Sequence, residues 1–125
     1  MDTDKLLHAQ LTETIIGSAM RVLNVLKPGL SEKAYENALV IEFRNRRLPT
    51  EQQKRFQVFY EGTVVDTLVP DLIVGDHVIV DPKVVEDFTP SHVAQMIGYL
   101  AVTNLRVAIL LNFKFADLRW RRVVR

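Results

Sequence analysis

The run from Thr67 to Lys83 constrains this chain more than any other stretch. Two apolar, β-rich segments, Thr67-Leu68-Val69-Pro70-Asp71-Leu72-Ile73-Val74 and His77-Val78-Ile79-Val80-Asp81, flank Gly75-Asp76. Such runs around a Gly-Asp turn predict a β-hairpin. Asp71 then lies in the first strand, with Asp81 and Lys83 in or just beyond the second. Residues two apart on a strand leave the same face, so Asp81 and Lys83 share one. Two carboxylates and an ammonium on adjacent strands are costly to gather unless something compensates them. A divalent cation would do so. An acid-X-Lys triplet by itself arises roughly once by chance in a chain of this composition. A surface ion pair at the end of a hairpin is therefore the competing explanation.

Composition narrows the chemistry. With 125 residues, 48% of them hydrophobic, the chain is long enough to bury a real core, and one domain spanning residues 1–125 is expected. A net charge of +1 does not announce a nucleic-acid binder, so any basic surface must come from local clustering. The absence of cysteine removes disulfides, thiolate nucleophiles and Cys-ligated metals. No apolar run reaches membrane-spanning length, and the acidic start Met1-Asp2-Thr3-Asp4 is unlike a signal peptide. A soluble cytoplasmic protein with no membrane partner is the expectation. No repeat or low-complexity tract interrupts the chain.

Taken in order, Leu11, Ile15, Ile16, Ala19, Val22, Leu23 and Leu26 recur at helical spacing, predicting an amphipathic helix from about Leu11, or from near Asp4, to Leu26. Lys27-Pro28-Gly29 ends it. Ser31 is a good N-cap for a second helix to about Arg47, with Tyr35, Ala38, Leu39 and Phe43 inside. Glu32 in its first turn suits the helix dipole, and Arg44, Arg46 and Arg47 suit the other end. A polar stretch leads to a short strand, Phe56–Tyr60, and Thr63-Val64-Val65 begins the hairpin. Thr89-Pro90-Ser91 opens a third helix with Val93, Met96, Ile97 and Leu100 buried and Gln95 and Tyr99 on one flank. Arg106–Leu111 reads as a central strand, and the tail from Arg119 as a basic edge strand. The expected order is α-α-β-β-β-α-β-β, an α/β (α+β) chain with a mixed sheet flanked by helices.

Gly29-Leu30-Ser31-Glu32-Lys33-Ala34-Tyr35 resembles the signature of the GxxExxY proteins, small prokaryotic members of the PD-(D/E)XK nuclease-like superfamily. The likeness continues through Pro70-Asp71, Asp81-Pro82-Lys83, Thr89-Pro90, His92, Gln95 and Tyr99, with order and spacing kept from about Leu11 to Val124. The resemblance implies a restriction-endonuclease-like fold and phosphodiester hydrolysis in DNA, less so RNA. It implies that Asp71 and Asp81 bind Mg²⁺ or Mn²⁺, that Glu32 helps hold the metal site, and that Lys83 assists the attacking water. Gln95 and Tyr99 would lie beside the site as auxiliary residues. Relatives carry an apolar residue where Pro82 stands, and proline is uncommon inside central strands. The strand is therefore expected to bulge there or to pair on one side only.

That chemistry is coherent with the residues themselves. Phosphodiester hydrolysis needs a deprotonated water in line with the leaving oxygen and neutralised charge on the phosphate. Hard carboxylate oxygens suit Mg²⁺ or Mn²⁺. The alternative is a catalytically inactive nuclease fold that binds nucleic acid or protein, since fold does not decide function. A chain this short leaves little room for a DNA-reading element, so a homodimer or a partner is expected.

Overall fold

The computed structural model describes residues 7–125. A first helix, α1 (Ala9–Leu26), buries Ile15, Ala19, Val22 and Leu23 on one stripe, although Leu26, expected on that stripe, is 38% exposed at its end. The alternative start near Asp4 falls outside the described residues. Lys27 closes α1 at φ 67°, with its N–H donating to the Leu23 carbonyl. Helix α2 (Glu32–Asn45) begins at Ser31, whose hydroxyl accepts from the Ala34 N–H, and buries Tyr35, Leu39 and Phe43. Arg44 donates to the Thr50 carbonyl and Arg46 pairs with Glu42 at 2.8 Å, so both arginines serve the fold locally.

Five strands follow: β1 (Thr50–Gln52), β2 (Phe56–Tyr60), β3 (Thr63–Leu68), β4 (Leu72–Val74) and β5 (Val78–Lys83). Then come α3 (Pro90–Thr103), β6 (Val107–Asn112) and β7 (Arg119–Val124). The succession of helix pair, strands, helix and two strands is the expected one, and the strand region is divided more finely than the apolar pattern suggests. β1 is too polar for that pattern to reveal. The run expected as one strand from Thr67 to Val74 breaks at Pro70-Asp71, because proline has no N–H to continue a ladder. Its first part pairs with β2 in a separate two-stranded sheet, and only Leu72–Val74 pairs with β5. Asp71 therefore stands in the bend just before β4, not inside a strand.

The main sheet has the order β1-β4-β5-β6-β7, with β5 and β6 parallel and every other pair antiparallel. The parallel pair needs a crossover, and α3 provides it. As expected, β6 is central and wholly buried, and β7 is an edge with Arg119 and Arg121 exposed. Alternation sends Val78, Val80, Ile109 and Leu111 toward α1 and α2, and Ile79, Ala108 and Leu110 toward Met96 and Leu100 of α3. Helices thus cover both faces. Ile97, expected on the buried side of α3, is 46% exposed, since the narrow contact with the sheet is made by Met96 and Leu100. No described helix is long and apolar enough to cross a membrane.

Candidate active site

The end of β5 is where the ladder changes character. β4 pairs with β5 only as far as Leu72↔Val80, whereas β6 follows it to Lys83↔Asn112. From Asp81 onward β5 is paired on one side only, so Pro82 removes no ladder bond that β4 could have used. The Lys83 carbonyl accepts from the Phe113 N–H at 2.9 Å, toward β6. In a parallel ladder successive residues point their polar groups to opposite sides, so the Pro82 carbonyl turns to the edge that β4 has vacated. Asp71 ends its bend beside that edge.

Asp81 and Lys83 lie on the same face as Ile79, beneath α3, as their two-residue spacing predicts. The Lys83 ammonium stands 3.4 Å from Asp81 Oδ2, and the two side chains are 16% and 5% exposed. The other oxygen, Asp81 Oδ1, is buried and accepts no hydrogen bond among the described residues. Burial above all pushes the Asp81 carboxyl up to about 7; Lys83 opposes the shift and the neighbouring Asp71 adds to it.

α3 closes the other side. Thr89 caps it, accepting from the His92 N–H while His92 Nδ1 accepts from the Thr89 N–H, and Pro90 fills its first position. The Gln95 amide donates to the Tyr99 hydroxyl at 3.2 Å, as expected for a pair one turn apart. Burial raises the Tyr99 hydroxyl's pKa, and the charges of Asp81 and Asp71 raise it further. Tyr99 therefore lies close enough to both carboxylates to feel their charge.

Glu32 approaches this end of β5 from α2. Its Oε1 accepts from the Val84 N–H at 3.4 Å, just past Lys83, and the residue is exposed. It reaches the same end of β5, yet no group of three His, Cys, Asp or Glu side chains among the described residues is arranged to hold a metal. The carboxylates that meet are Asp71 and Asp81. Their oxygens, the vacated edge carrying the Pro82 carbonyl and the orphaned Asp81 Oδ1 fit a hard divalent cation such as Mg²⁺ or Mn²⁺.

The buried carboxylate of Glu36, one turn after Glu32, is absent from the sequence-based set. It accepts from Lys33 at 3.2 Å, Gln52 at 2.6 Å and Gln53 at 3.0 Å, and Gln53 also donates to Asp71 Oδ1 at 3.1 Å. A charge between the apolar positions Tyr35 and Leu39 was the available signal. Only the fold shows that two glutamines from the polar stretch reach it.

A family description of the PD-(D/E)XK nuclease superfamily matches residues 9–123. No curated protein matches the chain. Among solved structures, the alkaline exonuclease LHK-Exo from Laribacter hongkongensis is similar in fold, at 15% sequence identity and a TM-score of 0.50. The likeness covers 86% of this chain and 76% of that one. With the family matched over nearly every described residue and the fold shared with that exonuclease, the chain belongs to the PD-(D/E)XK nuclease superfamily.

Proposed function

We propose that the protein is a divalent-metal-dependent nuclease that hydrolyses phosphodiester bonds in DNA at the end of β5. One observation carries this reading: Asp71, Asp81 and Lys83 converge there, with Asp81 Oδ1 buried and without a donor among the described residues. Asp71 and Asp81 would hold Mg²⁺ or Mn²⁺, with the Pro82 carbonyl beside them and Glu32 at the rim. The bound ion would supply an acidified water and charge neutralisation at the phosphate. Lys83, restrained by Asp81, places a cation where charge builds on the phosphoryl oxygens and where water must be oriented. Tyr99 and Gln95 wall the site from α3, limit water access and offer polar contacts to the substrate backbone.

The test is cleavage of end-labelled single-stranded DNA, double-stranded DNA and RNA in Mn²⁺, with Asp71→Ala as the control for contaminating activity. Cleavage of DNA by the wild type alone supports the proposal. Equal cleavage by both proteins assigns the activity to a contaminant. A specific observation favours a second reading, a nucleic-acid- or protein-binding module without catalysis: Glu32 is engaged by the Val84 N–H and completes no three-carboxylate set with Asp71 and Asp81. DNA binding with no cleavage would favour that module.

A further inference from the structure

We infer that Gln53 is a positioning residue that fixes the Asp71 carboxylate from the buried Glu36; the inference rests on the metal-site reading above. Asp71 occupies a bend outside the ladder, since β1 and β4 pair only from Thr50↔Val74 to Gln52↔Leu72. Gln53, the first residue past β1, holds it twice: the Gln53 N–H donates to the Asp71 carbonyl at 3.0 Å, and the Gln53 amide donates to Asp71 Oδ1 at 3.1 Å.

The same amide nitrogen donates to Glu36 Oε2 at 3.0 Å. Both acceptors are carboxylate oxygens, so the nitrogen and not the oxygen of the amide must face them, and its two hydrogens serve one carboxylate each. Glu36 is itself anchored, 3% exposed on α2 and further bonded by Lys33 and Gln52. The chain of contacts runs from a helix of the core through one amide to a carboxylate at the site. Gln53 has φ 57°, a left-handed conformation uncommon for a non-glycine residue.

The chemistry explains why an amide suits the position. A lysine or arginine there would neutralise Asp71 and compete with a bound cation. An amide orients the carboxylate and leaves its charge intact. Groups that orient metal-binding carboxylates typically change metal affinity by about 10–100-fold when removed.

Gln52 supplies the control, because its amide bonds Glu36 and Asn37 but makes no bond to Asp71. Mn²⁺ affinity of the full chain would be measured by electron paramagnetic resonance for wild type, Gln53→Ala and Gln52→Ala. Metal-free crystal structures of the three would report the Asp71 side chain. Gln53→Ala is expected to weaken Mn²⁺ binding about 10–100-fold and to release the Asp71 carboxylate. Gln52→Ala is expected to leave both within about twofold of wild type, that margin being small beside the same range. Wild-type affinity in Gln53→Ala, or equal losses in both variants, would overturn the inference. If the wild type binds no Mn²⁺, the metal reading fails, and the metal-free structures still decide the positioning role. Asp71 displaced in Gln53→Ala alone sustains it; Asp71 unmoved sinks it.

Discussion

Lys83 stands 3.4 Å from Asp81 Oδ2, yet the Asp81 carboxyl is pushed up to about 7. The cost of burying the carboxylate outweighs the lysine's attraction, and Asp71 nearby adds to that cost. The folded protein therefore binds a proton on Asp81 that the unfolded chain gives up near 4, the ordinary aspartate value. This group's contribution to stability is complete below about pH 4 and is lost as pH rises toward about 7. Asp81→Asn imitates the protonated form. It should match wild type near pH 4 and exceed it by a few kcal/mol at pH 8, following ~1.4 kcal/mol per tenfold change in proton affinity. Denaturant melts across that range check it, and a flat difference would contradict the buried, proton-binding Asp81.

A divalent ion and that proton compete for the same carboxylate. Millimolar Mg²⁺ or Mn²⁺ should raise the melting temperature little at pH 5 and clearly at pH 8, because the ligand must be deprotonated first. At a hundredfold excess over Kd the gain is about 2.7 kcal/mol. Thermal melts with and without metal, on wild type and Asp71→Ala, measure it. An equal gain in the two proteins would place the metal elsewhere.

Tyr35 belongs to the scaffold. Its hydroxyl donates to the Lys27 carbonyl at 2.6 Å and accepts from the Leu30 N–H at 3.2 Å, while its ring stacks on Phe113 at 4.6 Å. It ties the end of α1 to the start of α2. Tyr35→Phe keeps the stack and loses the hydroxyl, so stability should fall by about 0.5–1.5 kcal/mol with metal affinity unchanged. Lys27 and Leu30 are exposed residues, so solvent at this turn limits the loss. A weaker metal site at unchanged stability would give Tyr35 a different role.

Gly75 closes the β4–β5 turn at φ 60°, and a Cβ there would stand 2.8 Å from Leu11 Cδ2. The turn also donates the Gly75 N–H to the Pro49 carbonyl at 2.7 Å, so it cannot drift freely. Gly75→Ala should cost about 1–2 kcal/mol from the left-handed backbone, with a further loss if the Leu11 tip cannot swing aside. Urea melts test it, and Leu11→Ala in the same chain should recover the steric part only.

What the sequence made legible follows from local physics. Ser31 and Thr89 announce their helices because capping is decided within four residues, and Asp81 and Lys83 share a face because strand alternation is fixed at two. The break at Asp71 was signalled only by Pro70, since Leu68 and Leu72 are equally apolar and sheet pairing alone shows that β3 and β4 part there. Gln53 was hidden more deeply. Its partners, Glu36 and Asp71, lie 17 and 18 residues away, and a polar stretch carries no periodicity that points to either. Glu32 was found by its motif, but its bond to the Val84 N–H depends on where α2 docks against β5.

Lys83 gives the most direct test of the proposed chemistry. It is largely enclosed, bonded to Asp81 and carried on a residue whose carbonyl is pinned to Phe113, so its ammonium is preorganised. A cation held in this way acts mainly on charge that develops during reaction. Lys83→Ala should therefore lower DNA cleavage by about 10²–10³. Metal affinity should fall much less, because the lysine is no ligand and its charge repels the ion. Stability at pH 8 should fall, since removing one partner of a buried pair leaves the ionised Asp81 uncompensated, and the loss should shrink toward pH 5 as Asp81 takes up a proton. Lys83→Arg keeps the charge but changes its shape and hydration, and should restore only part of the rate. Single-turnover cleavage in saturating Mn²⁺ separates the rate from metal binding. A variant that binds Mn²⁺ and DNA normally and cleaves at the wild-type rate would remove Lys83 from the mechanism.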